Sequence, residues 1–129
     1  MKNIGLFRCQ DNEHKCPLTS CIRSIEGCRQ GFASYEQARL VGVFSLQADL
    51  ENNLALADIL KQKGADTIHF VTCAFCHKDE SKTWHLGNGF FEGLDDLAKT
   101  MTDQTGLPCV KGSAHLPSDY QVEQFNPRM

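Results

Sequence analysis

Thr67-Ile68-His69-Phe70-Val71-Thr72-Cys73 is the clearest strand in the chain. It is short and rich in β-branched and aromatic residues, the types that favour strands. Helices between it and the strands on either side imply parallel pairing with right-handed crossovers. The flanking sequence agrees. Upstream, Asp49 can cap a helix and Gly64 can end it. Between them Leu50, Leu54, Leu56, Ala57, Ile59 and Leu60 form an apolar arc suited to covering a sheet.

The same alternation extends both ways. Ile4 to Cys9 reads as a first strand and Arg39 to Ser45 as a second. Between them Pro17 opens a helix running to about Gly27, with Cys16 at its cap and Cys21, Ile25 and Cys28 on one face. Downstream, Cys76 to Asn88 reads as a polar loop. Phe90, Leu94, Leu97 and Met101 stripe a helix closed by Gly106, and Pro108 to Ala114 reads as a fourth strand. The expected fold is a single α/β domain, a small sandwich of about four mainly parallel strands with flanking helices, ending in a polar tail over 116–129.

At 129 residues, 41% apolar and 22% charged, the chain has room for a core without disulfide staples. Its net charge of −3 and lack of a basic run argue against nucleic acid or an anionic membrane as partner. No segment reaches the ~20 apolar residues of a membrane helix. Arg8 interrupts a first apolar stretch already too short for a signal peptide, so the expected location is the cytoplasm, where thiols stay reduced.

The chain carries seven cysteines, an odd number that no full disulfide framework can pair. Five of them fall at or after expected strand ends: Cys9, Cys16, Cys21, Cys73 and Cys76. Ligands of open α/β sheets bind beyond those ends. Thiolates gathered there favour a soft ion such as zinc or iron, or thiol redox chemistry. The pair Cys73 and Cys76 has C-x-x-C spacing. Because a polar loop rather than a helix follows Cys73, this spacing favours a metal over a redox motif. His115, after the fourth strand, and His77 are further donors; His14 is a weaker one. His69, in mid-strand, reads as a hydrogen-bonded interior residue. Cys28 and Cys109 read as core. The haem-type C-x-x-C-H reading of Cys73 to His77 is set aside without an export signal. Arg23 misses the phosphatase-loop spacing from Cys16 by one residue. No paired carboxylates, Ser–His–Asp order or phosphate loop points to a named reaction.

Several ordered motifs then carry a resemblance. Ile4-Gly5-Leu6-Phe7-Arg8-Cys9-Gln10, Cys16-Pro17, Cys21, Gly31-Phe32, Val41-Gly42, Gly64-Ala65-Asp66-Thr67-Ile68-His69 and Cys73 are similar to the CGGC-domain family. The likeness covers the first three strands and runs faintly to Gly112-Ser113-Ala114-His115. It implies a cysteine-rich, metal-binding domain of undefined cellular role. The chain departs from the family where the naming motif should lie. Ser45-Leu46-Gln47-Ala48-Asp49-Leu50 stands in place of Thr-Cys-Gly-Gly-Cys-Pro, and Lys82 to Asn88 lacks the cysteine relatives carry there. Three readings follow: an ion held by Cys9, Cys16, Cys21, Cys73, Cys76 and His115; a metal-free redox protein using Cys73 and Cys76; or a binding domain with a degenerate site.

Overall fold

The computed structural model describes residues 1–128. A five-stranded sheet forms its centre, built from β1 (Lys2–Arg8), β2 (Ala38–Ser45), β3 (Thr67–Phe70), β6 (Cys109–Lys111) and β7 (Glu123–Phe125). Their spatial order is β2-β1-β3-β6-β7. The first four are parallel and β7 runs antiparallel to β6. Three helices connect them: α1 (Thr19–Glu26), α2 (Leu50–Gln62) and α3 (Leu94–Thr105). A hairpin of β4 (Cys76–Lys78) and β5 (Trp84–Leu86) stands outside the sheet.

This is the expected α/β architecture, and burial explains it. Ile4, Leu6 and Phe7 of β1 and Ile68, His69 and Phe70 of β3 are fully buried, so the two central strands are covered on both faces. Ile25 of α1 packs with Ile4 and Phe32. Ala57 and Leu60 of α2 join Leu97, Ala98 and Met101 of α3 in the larger core cluster. Asp49 caps α2 as its sequence implies, accepting from the Glu51 amide at 2.9 Å. The apolar arc of α2 is narrower than expected, because Leu50 and Ile59 are exposed.

Four local expectations are corrected. The helix expected from Pro17 begins at Thr19, because Leu18 is buried in a left-handed conformation (φ 65°) and turns the chain before the helix starts. Cys28 lies beyond α1 with φ 49° and is half-buried rather than core. The segment 76–88 is a hairpin, with His77 opposite His85. Phe90 lies outside α3, which opens after Gly93 (φ 76°), and is exposed. The polar tail docks: β7 pairs with β6, and the Tyr120 hydroxyl donates to the Lys111 carbonyl at 2.7 Å. No helix among the described residues is long and apolar enough to cross a membrane.

Candidate functional site

β2 lies on one side of β1 and β3 on the other, so the winding direction reverses between β1 and β3. At such a switch point the loops leaving the two strands diverge and open a crevice. Phe7 is in register with Phe70, and the Val71 amide bonds to the Phe7 carbonyl at 3.0 Å. Cys9 follows the end of β1. Cys73 sits in the 3-10 turn Thr72–Ala74 that follows β3. Two adjacent strands of matched register therefore deliver these two residues to one place. Their Sγ atoms are 2.6 Å apart.

That contact governs the titration of the pair. The Cys73 thiol, hydrogen-bonded to Cys9, lowers Cys9 from 9.0 to about 7, against the opposing effect of burial. The Asn12 side-chain amide assists by donating to the Cys9 sulfur at 3.3 Å. The same hydrogen bond, followed by burial, pushes Cys73 upward. The opposite shifts describe one proton held between two sulfurs, a property of the pair rather than of either residue. Its first ionisation is easy because the remaining thiol stabilises the thiolate; its second is hard.

Cys73 of this pair opens onto a cavity of about 600 Å³, while Cys9 lies buried behind it, outside the lining. Cys16, Cys21, Cys73, Cys76, His77 and His115 all contribute to its wall. Each thiol is held differently. Cys16 is not at a helix cap: it precedes α1 by three residues, and its carbonyl accepts from Arg8 Nη2 at 2.8 Å. Cys21 is raised above its ordinary value chiefly by burial, and its sulfur lies 3.2 Å from Ser113 Oγ. Ser113 Oγ already accepts from the Thr72 amide at 3.2 Å, which leaves its own hydrogen free for the sulfur. Cys76 is buried and pushed up to about 11 by desolvation. The sulfur hydrogen-bonded to Cys73 is that of Cys9, so the close dithiol is not the C-x-x-C pair. Outside the cavity, Cys109 is fully buried and raised to about 12, as a core residue.

Two glycines make this geometry possible. A Cβ on Gly89 would lie 2.4 Å from the Phe75 nitrogen and 2.5 Å from the Ala74 carbonyl. Its absence lets residues 89–91 lie against the Cys73 turn, where Phe90 and Phe91 amides bond to the Cys73 and Ala74 carbonyls at 3.0 Å. A Cβ on Gly31 would lie 2.6 Å from the Gly112 carbonyl. The Gly31 amide instead reaches the Ser113 carbonyl at 2.9 Å and fixes the Ser113 loop against the first half of the chain.

His69 is interior, as its mid-strand position implies. A carbonyl can only accept, so His69 Nδ1–H donates to Gly112 O (2.8 Å) and Nε2 accepts from the Tyr35 hydroxyl (2.6 Å). Both ring nitrogens are satisfied, and burial holds the imidazole neutral, with its pKa down at about 4.

Among the described residues no group of three or more His, Cys, Asp or Glu side chains is placed to hold an ion. Two sulfurs bound to one tetrahedral ion at ~2.3 Å stand roughly 3.8 Å apart, against 2.6 Å for Cys9 and Cys73. The naming motif of the resembled family maps to the loop after β2, where Ala48 and Asp49 are exposed. Leu46 is buried there, and Asn53 clamps Gln47 by accepting from its amide at 2.7 Å and donating to its carbonyl at 2.9 Å.

Sequence reasoning missed Asn12, Ser113 and Trp84, which contact the thiols or wall the cavity. Ser113 lay within the faint Gly112-to-His115 match; nothing in the sequence marks Asn12 or Trp84. The CGGC domain family matches residues 3–114, which reaches well past the three strands that carried the resemblance. No curated protein and no solved structure matches the chain.

Proposed function

This chain belongs to the CGGC domain family, and on that premise we propose that its cysteine-lined cavity performs thiol chemistry, with Cys9 and Cys73 as a dithiol that closes to a disulfide and reopens. The observation carrying this reading is the 2.6 Å approach of the two sulfurs at the switch point of the sheet. It is shorter than any shared coordination requires and needs only a small further movement to reach the ~2.05 Å of a disulfide. The lowered first ionisation supplies the thiolate that exchange needs near neutral pH. In a reducing compartment such as the cytoplasm the pair rests as the dithiol. Closure passes two electrons to an acceptor disulfide, which leaves as two thiols.

The test is a thiol titration of reduced protein before and after mild oxidation, with the new bridge mapped by mass spectrometry. Reversible loss of two thiols, mapped to Cys9 and Cys73, supports the reading. A bridge between Cys73 and Cys76, or no loss, defeats it.

A second reading has one observation in its favour: Cys16, Cys21, Cys73, Cys76 and His115 line a single cavity. With Cys9 they are the donors of a thiophilic ion, zinc or iron, if binding draws them together. Zinc and iron both accept such sulfur and imidazole donors. Elemental analysis of untagged protein, together with melting in the presence and absence of chelator, decides it, because a bound ion adds to folding stability.

A further inference from the structure

A second cavity, of about 420 Å³, adjoins the thiol cavity. The two share Ser20, Trp84, Ala114 and His115. The Trp84 and His115 rings, stacked 5.5 Å apart at 9°, stand between them. The second cavity is lined by Arg29, and Ser24 and Thr83 also contribute to its wall. Among the described residues Arg29 enters no ion pair. Its guanidinium lies over Gly27, where an added Cβ would come within 2.8 Å of Nε. The next turn, Gln30–Phe32, is tied to the Ser113 carbonyl, so Arg29 and the Cys21–Ser113 contact share one support.

The charge of the walls is one-sided. The whole chain is acidic, at −3. Yet no described Asp or Glu lines either cavity, while Arg29, Lys15 and Lys78 do. Together the cavities offer sulfur chemistry at one end and a free guanidinium at the other. Guanidinium recognises carboxylate by a planar, two-point fit.

We infer that the Arg29 cavity is the carboxylate subsite of the thiol cavity, and that the acceptor is a small disulfide bearing a carboxylate. This rests on the dithiol reading above. In the reaction the thiolate of the pair attacks one sulfur of R–S–S–R. A protein–S–S–R bond forms and RS⁻ leaves. The second thiol of the pair loses its proton to solvent and attacks the protein sulfur of that bond. The Cys9–Cys73 disulfide forms and a second RS⁻ leaves. Two electrons pass from the dithiol to R–S–S–R, and the released protons balance the two RS⁻ as they become thiols.

The experiment mixes reduced protein with 3,3′-dithiodipropionate or with neutral 2-hydroxyethyl disulfide and follows loss of the two thiols. Each rate is divided by that of a free neutral dithiol, which removes the intrinsic difference between the reagents. At low salt the wild-type ratio should favour the dicarboxylate by about tenfold, as expected of one charge-assisted contact. In Arg29→Gln it should fall to near one. Arg29 is exposed, so the variant folds. A wild-type ratio near one overturns the inference and leaves the dithiol reading standing. A tenfold preference that persists in Arg29→Gln also overturns it. If neither reagent oxidises the pair, the dithiol reading and this inference fall together.

Discussion

The rings of Phe7 and Phe70 lie 5.8 Å apart, stacked at 30°, on neighbouring parallel strands. This pair fixes the register of β1 against β3 from inside the core. A one-residue slip of either strand would put the two rings on opposite faces of the sheet. The same register brings the residues leaving the two strand ends together. The 2.6 Å contact of Cys9 with Cys73 thus follows from apolar packing that brings the two strand ends side by side, and the hydrogen bond between the sulfurs is made there.

Serine substitutions should separate the two candidate pairs. Cys9→Ser and Cys73→Ser should each abolish the reversible loss of two thiols under mild oxidant. Cys76→Ser should leave it intact, since the Cys73 sulfur faces Cys9. Retention in Cys9→Ser with loss in Cys76→Ser would reassign the pair to the C-x-x-C.

The rate of alkylation should rise with pH through a midpoint near 7, below the ordinary value of 9.0. The sign follows from the hydrogen bond: it stabilises the thiolate, so the reactive form appears at lower pH. Cys73→Ala removes that bond and should raise the midpoint by about one unit or more. A midpoint unchanged by Cys73→Ala would show that the neighbouring thiol is not the cause.

Acid should destabilise the fold through His69. Its pKa is about 4 when folded, against 6.5 for the ordinary group. The unfolded chain therefore binds the proton more readily, and stability is fully present above about 6.5. It should fall as pH drops from 6.5 toward 4, by about 3 kcal/mol in all. His69→Gln should start less stable and lose less over that range. Urea denaturation at several pH values checks this, and equal slopes in the two proteins would sink it.

Gly89→Ala should cost about 2 kcal/mol, because its Cβ would meet backbone rather than a yielding side chain. The Cys73 turn lies against that spot, so the variant should also slow formation of the Cys9–Cys73 bridge. Thermal melting and the rate of thiol loss measure the two effects. A variant as stable as wild type would mean residues 89–91 do not pack as described.

Much of the layered fold was legible because buried parallel strands and their covering helices announce themselves in composition. The Thr67 strand, the Asp49 cap and the α2 span needed only local rules. Leu18 was not readable, because a left-handed leucine is held there by core packing and not by propensity. The β4–β5 hairpin escaped for a similar reason. Its strands are only three residues each, too short to show a period, and they stand on pairing such as His77 with His85.

By itself the sequence determined an α/β sandwich and the presence of thiols near its strand ends, since local periodicity and strand length encode both. Which thiols meet was decided only by tertiary structure. C-x-x-C spacing pointed Cys73 toward Cys76, three residues away. The fold turned it toward Cys9, 64 residues distant, because β3 lies beside β1. Strand order and register depend on how the whole core packs, and no short stretch of chain contains that information.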